Sequence, residues 1–411
     1  MILTMAWRNL WRRKRRTLIT SSTVAIGLWV AMSFAGIADY SYTKMINTSA
    51  SMGYGHVSVE PADYINSPTF NKRIADAEGL RDEIMKTEGI THASIKIIGQ
   101  GMFGTATKAV GGLMLGIDPS RERPTENLFL RSIVEGTPFN NADSREVVVG
   151  KKLAEKLNLK IGKKLVYTAT DATGNIVSEM ARVSAIFKTG EETVDGSTIL
   201  LPINQLRRTL HYGPRDATLI SIFIDDQRQA PRIRTMLQKK LNPAGIDIWT
   251  WRETQHELAG TIALDRTLHN LFQLFVWLLV AAGILDAILM SVLERKREMG
   301  VMMAIGMSPG ALFRLVIIES FLTALLGLGI GILINTPWYW YMSTTGIDLS
   351  SMVPEGYGAG GVLVDPVIKI RIYKESVAIT TVSFFSLTLL AGLYPAFKAS
   401  RVPPVESMKT S

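Results

Sequence analysis

The chain has 411 residues and no cysteine, which excludes a disulfide frame, a thiolate nucleophile and a cysteine metal site. Hydrophobic residues make up 47%, near the soluble average, yet they collect in a few long runs, as in a chain that mixes membrane spans with a sizeable water-facing domain. The formal net charge of +9 sits mainly beside those runs, which fits a positive-inside membrane protein better than a nucleic-acid binder.

The N-terminal segment MILTMAWRNLWRRKRR places Leu3, Trp7, Leu10 and Trp11 on one helical face and the arginines largely elsewhere. It reads as a helix lying in the membrane interface. The run Thr17 to Ile37 follows, long enough for a core of ~30 Å. It exceeds the ~7–15 apolar residues of a secretory signal, so an uncleaved anchor is expected.

Residues 38–52 and 253–267 look helical and are expected to extend the first two spans as a stalk. Between them, HVSVEPADYI, ASIKIIGQGMF, GGLMLGID, REVVVG, KLVYTAT, MARVSAIF, STILLP and TLISIFID read as short strands. RIADAEGLRDEIMKTEG, VGKKLAEKLNL and QAPRIRTMLQKKLNPAG read as amphipathic helices. The sum is a large α+β domain.

Three more apolar runs follow, Leu268 to Val292, Ala311 to Pro337 and Ser376 to Phe397. Basic residues flank them: Arg12 to Arg16, then Arg295, Lys296, Arg297 and Arg314, then Lys398 and Arg401. With four transmembrane helices these clusters share one side, which the positive-inside rule makes cytoplasmic. The expected division is residues 1–37 (interfacial helix and first span), 38–267 (extracytoplasmic domain with stalk), 268–335 (second and third spans with a cytoplasmic helix), 336–375 (short outer loop) and 376–411 (fourth span and tail).

Several motifs fail on context. GQGMFG, Gly99 to Gly104, matches the dinucleotide fingerprint, but TAT and AVGG follow where a helix must start. GMSPG, Gly306 to Gly310, matches the nucleophile elbow, but a helical stretch precedes Ser308 and Pro309 follows it. The five histidines are scattered, and His256-Glu257 lacks the second histidine of a zinc-protease helix. No catalytic residue, metal site or P-loop is expected, so this chain should not itself be an enzyme, and any ATP should be bound by another polypeptide.

Asp286 lies inside the second span, where a carboxylate calls for a polar partner or an interface; a moving helix contact and a structural hydrogen bond both fit. Arg314 and Glu319 lie near the start of the third span, where snorkelling suffices. Gly327 and Gly331 form a small-xxx-small pair suited to close helix packing. The loop after the second span is helical and carries Met299, Met302 and Met303, an adaptable face for a partner's groove or for the membrane surface.

That loop, ERKREMGVMMAIGMSPGALFRLVIIES, resembles the loop between the second and third spans of the MacB/FtsX/LolC–LolE permeases, the four-span mechanotransmission class of ABC transporters. AWRNLWRRKRRTLIT resembles their opening segment, and YPAFKASRVPPVESMK, Tyr394 to Lys409, their closing one. LMLGIDPSRE and VEGTPFNNADSREVVVGKKLAEKLNLKIGKKLVY resemble their periplasmic core domain. The resemblance runs in order along essentially the whole chain.

It implies a bacterial inner-membrane permease with cytoplasmic termini, paired with a second permease copy or paralogue. It also implies a separate cytoplasmic ATPase that binds ATP and Mg. The coupling helix would include Glu294, Arg295, Glu298, Met299, Gly300, Met303, Gly306 and Met307. ATP binding would draw the coupling helices together, and the stalks would carry that motion outward. Asp286 departs from the Asn common at that place in the family. An outer domain of about 230 residues without a fused ATPase favours the lipoprotein-releasing branch, with a lipoprotein substrate and a periplasmic carrier. A MacB-like exporter and FtsX-like signalling to cell-wall hydrolases are the alternatives. Asp171 to Ser178 and Glu191 to Ser197 are candidate carrier-docking loops or plain hairpin turns.

Overall fold

The computed structural model describes residues 2–401 except 13, 242–244, 353–357, 360, 361 and 364. Of the family-like closing segment, residues 402–409 therefore lie outside the described residues. The chain divides into two compact units, one of Met1–Ser41, Leu264–Leu349 and Val367–Ser411, the other of Tyr42–Ala263 and Ser350–Pro366.

Helix α1 (Ile2–Arg12) leads into α2 (Lys14–Ser49), which continues past the apolar run and ends in a wide turn at Ala50–Tyr54. Gly53 breaks that turn with a φ of 136°, a backbone state that a side chain would strain.

The second unit is built on strands β1 (Val57–Pro61), β2 (His92–Gly104), β3 (Ala109–Ile117), β4 (Ile133–Gly136) and β5 (Glu146–Gly150). It continues with β6 (Lys164–Thr170), β7 (Ile176–Phe187), β8 (Thr198–Pro202), β9 (Leu219–Phe223) and β10 (Ile246–Thr250). Helices α3 (Ala77–Met85), α4 (Leu128–Arg131), α5 (Lys151–Leu157) and α6 (Glu192–Asp195) punctuate them. So do α7 (Ile203–Thr209), α8 (Ala230–Lys240) and α9 (Trp251–Thr254). Local chemistry sets the ends: Asp76 accepts from the Gly79 amide at the start of α3, and Thr250 and Glu253 form a reciprocal capping box on α9.

Pairings β2–β3, β3–β8, β8–β5, β5–β7, β7–β6 and β6–β2 close a ring of six strands. Two of them, β3–β8 and β5–β7, are parallel. Along β6 the side chains alternate between buried Leu165, Tyr167 and Ala169 and more exposed Lys164, Val166, Thr168 and Thr170, as a half-buried strand requires. The other end of β2 pairs with β9, and β9–β1–β10 completes an antiparallel sheet, so β2 belongs to both sheets. The apolar core of this unit gathers Tyr64, Leu115, Phe129, Phe139, Val148, Phe187 and Leu200.

The glycines of GQGMFG lie within β2, with no helix after them. A Cβ at Gly101 would stand 2.7 Å from Met114 Cε and 2.8 Å from the Thr168 carbonyl oxygen, so the glycine lets strands approach closely.

The chain returns through α10 (His256–Glu294), α11 (Lys296–Ala304), α12 (Pro309–Thr344) and α13 (Lys374–Ser400). Among the described residues, four helices are long and apolar enough to cross a membrane: residues 14–54, α10, α12 and α13. Val24, Leu28, Ile284, Leu312, Leu315 and Phe384 are buried in a core they share. Ile347–Asp348 pairs antiparallel with Val367–Ile368.

Candidate coupling site

Helix α10 stops at Glu294, and the chain turns at Arg295 to begin α11. Arg295 is only 7% exposed and points back among the helices. Its Nη1 donates to both carboxylate oxygens of Glu319 on α12 at 3.0 Å each, and its Nε donates to Glu298 at 3.1 Å. Asn9 of α1 donates its amide to the same Glu319 at 2.7 Å. Next to this junction, Arg16 of α2 binds Glu294 at 2.6 Å and the Ala287 carbonyl at 2.5 Å. A polar cavity of about 70 Å³ opens here, lined by Asn9, Arg16, Thr20, Arg295, Glu319 and Thr323, with space for water.

This geometry corrects two expectations. Glu319 does not snorkel: it stands ten residues inside α12 and is held by two partners. The methionine face of α11 is also turned inward. Met299 is 1% exposed, Gly300 is buried, and Met302, Met303 and Met307 are half-buried against the helix core. The reason is register: Met299 and Met303 lie one and two turns beyond Arg295, so the arginine that faces Glu319 brings them with it. Arg295, Met299 and Gly300 are therefore not available to a docking partner in this conformation. Glu294, Glu298 and Gly306 are exposed, the first two already bonded to arginines. The outward edge of α11 consists of Arg297, Glu298, Val301 and Ala304 and continues into its C-cap Ile305, which is 82% exposed.

Gly306 has a φ of 107°, which ends the α11 segment, and Ser308 caps α12 by accepting from the Ala311 amide at 3.3 Å. Ser308 thus has a capping job and no elbow geometry.

Gly327 and Gly331 face α2. A Cβ at Gly327 would meet Val24 Cβ at 2.6 Å, and one at Gly331 would meet Leu28 Cδ2 at 2.8 Å. Asp286 is exposed on α10, in a stripe with Phe272, Phe275, Leu279, Met290 and Leu293 at helical spacing. Asp286 stands six residues from the end of the apolar run, so a lipid-facing carboxylate there costs less than the ~2.5–3.5 kcal/mol of a charge at the span centre.

In the second unit, Asp171 to Asn175 make a hairpin turn in which Asp171 accepts from the Thr173 and Asn175 amides and from His211. Residues 191–197 instead hold α6, capped by Glu191. Among the described residues no cluster of three or more His, Cys, Asp or Glu could hold a metal. Sequence reasoning missed Asn9, Arg16 and Glu319 as parts of one site. The available signal was a carboxylate three turns into an apolar helix, within reach of a span-flanking arginine.

Residues 270–404 match the model of the FtsX-like permease C-terminal domain, and residues 17–240 match the MacB-like periplasmic core domain. The chain is 18% identical over 404 residues to the lipoprotein-releasing system transmembrane protein LolC of Neisseria meningitidis, covering 96% of this chain and 94% of that one. It is 21% identical over 312 residues to LolC of Xylella fastidiosa, with 72% of each covered. The macrolide export ATP-binding/permease protein MacB of Escherichia coli K12 is 24% identical over 355 residues, 81% of this chain but 52% of MacB. Among solved structures, the periplasmic region of MacB from Actinobacillus actinomycetemcomitans superimposes with a TM-score of 0.35 at 13% identity, over 50% of this chain and 94% of that one. The extracellular domain of the noncanonic ABC-type transporter YknZ gives 0.33 at 16% identity, over 47% and 99%. With both family domains present in order, the chain belongs to the ABC transporter permeases of the LolC/MacB/FtsX family.

Proposed function

We propose that this permease extracts lipidated proteins from the outer leaflet of the bacterial inner membrane and delivers them to a periplasmic carrier. The observation that carries the reading is the end-to-end likeness to a LolC, 96% of this chain against 94% of that protein. The work is of a size suited to ATP, since each acyl methylene taken from lipid costs ~0.8 kcal/mol. The ATPase is a separate cytoplasmic chain that holds ATP and Mg, and this chain contributes no catalytic group. Its termini and α11 face the cytoplasm, as the basic clusters support. The outward edge of α11, centred on Ile305, contacts that ATPase. A second permease, identical or paralogous, covers the α10 stripe that carries Asp286.

The test is to purify the chain with the ATPase encoded beside it and with co-expressed lipoproteins, and to identify what co-purifies by mass spectrometry. Bound triacylated lipoprotein is the expected result. An intact ATP-hydrolysing complex that carries an adaptor or a cell-wall hydrolase instead would overturn the reading. Efflux is the second reading, favoured by the 24% identity to MacB.

A further inference from the structure

We infer that Arg295, Glu319 and Asn9 form a clamp that fixes the position of α11, so that force applied to α11 reaches α1 and α12 together. Two donors meet at one carboxylate, and two further contacts hold the segments beside it. Glu319 receives Arg295 through both oxygens at 3.0 Å and Asn9 at 2.7 Å. The two donors and the acceptor come from three sequence-distant segments: Arg295 from the α10–α11 turn, Asn9 from α1, and Glu319 from α12. Met299 anchors the next turn of α11 in the apolar core. Arg16 ties Glu294, the residue before the turn, to α2.

Energetics show what such a cluster is for. An apolar replacement of a buried ion pair is often as stable or more so, so stability alone does not call for charges here. What paired charges add is direction. A carboxylate with two fixed donors accepts one arrangement of its neighbours, whereas interchangeable methionines accept many. The adjoining polar cavity gives the cluster room to exchange partners when α11 is pushed. These are positioning residues: none of them stands on the outward edge where a partner would touch. The significance of the clamp rests on the proposed reading of α11 as the ATPase contact, while its existence does not.

The chain has no cysteine, so labels are free of background. Spin labels at Thr4→Cys on α1 and Arg297→Cys on α11, both exposed positions, report the distance between the two helices by pulsed electron resonance on the full chain in lipid nanodiscs. The parent should give one narrow distance. Glu319→Gln should broaden it to about twice the width or split it, because a two-state element loses its bias. Arg295→Lys keeps the charge but loses the planar fork that reaches Glu319 and Glu298 together, so it should broaden the distance less than Glu319→Gln does. Asn9→Ala removes one donor and leaves the ion pair intact, so it serves if Glu319→Gln does not fold; it too should broaden the distance.

A narrow parent-like distance in Glu319→Gln or, where that variant does not fold, in Asn9→Ala overturns the clamp. Ile305→Glu separates the two claims. If it leaves ATPase association unchanged while Glu319→Gln broadens the distance, the coupling role of α11 falls and the clamp stands. If it abolishes association while Glu319→Gln stays narrow, the clamp falls and the coupling role stands.

Discussion

Glu60 of β1 stands directly across from Asp247 of β10 in an antiparallel pair, and the Ser58 hydroxyl donates to its carboxylate at 3.0 Å. Burial pushes the Glu60 carboxyl up from 4.5 to about 7, opposed by the Ser58 hydrogen bond and reinforced by the Asp247 charge. The folded chain therefore holds this proton where the unfolded chain has lost it. Stability from this group is intact below pH 4.5 and is lost as pH rises to about 7. Glu60→Gln should leave the melting temperature unchanged at pH 4.5 and raise stability by up to ~3 kcal/mol at pH 8, from ~1.4 kcal/mol per pH unit. Equal effects at both pH values would contradict this.

His56 works in the opposite direction. Burial lowers its pKa from 6.5 to about 4. Its Nδ1 accepts from the Ile224 amide at 3.2 Å, which leaves the Nε2 hydrogen to donate to Asn47 at 3.0 Å. This group costs stability as pH falls from 6.5 toward 4, where the unfolded chain binds the extra proton. The two slopes offset each other in the parent between those values. Thermal melts of Glu60→Gln from pH 7 to 4.5 should therefore show a steeper acid loss than the parent.

Three glycines of one helix should respond differently to alanine. Gly329 has open space around it, so Gly329→Ala should gain up to ~1 kcal/mol of helix propensity. Gly327→Ala places a methyl 2.6 Å from Val24 Cβ and 3.0 Å from the Ser21 carbonyl, and overpacking should cost ~1–3 kcal/mol. Gly331→Ala should fall between, since the atom it meets is the end of the Leu28 side chain. Melting of the three variants in one detergent ranks them.

Asp286→Cys is expected to give a disulfide-linked dimer under mild oxidation in membranes, because the stripe around it would face a second permease. The absence of other cysteines makes the product unambiguous. No homodimer, together with a disulfide to a cysteine introduced at the matching position of a co-expressed paralogue, would assign the pairing to unlike chains.

The spans and most strands were legible because each is a local pattern: a run of apolar residues, or an alternation as in Leu165, Tyr167 and Ala169. β10 and α7 escaped because IDIWT and INQLRRT are short and carry little period. Ring closure through Phe103 and Tyr167 was invisible, since it is a pairing between distant segments and leaves no local trace. The direction of α11 was read wrongly for another reason. Its sequence is apolar on both faces, Met299 and Met303 on one, Val301 and Ile305 on the other. Only the Arg295–Glu319 pair decides which face turns inward, and that partner lies twenty-four residues away.

The position of β1 between β9 and β10 has a consequence for synthesis. Val57 must wait for Ile222 on one side and Thr250 on the other. At ~5–20 residues per second, about 10–40 s pass between the making of β1 and of its last partner. During that interval the first span is already made and the six-strand ring can close once β8 is made, but β1 itself has no partner to pair with. A chain so arranged is exposed to misassembly during its own export, which makes a holding chaperone on the far side of the membrane more consequential for its yield than for its final stability.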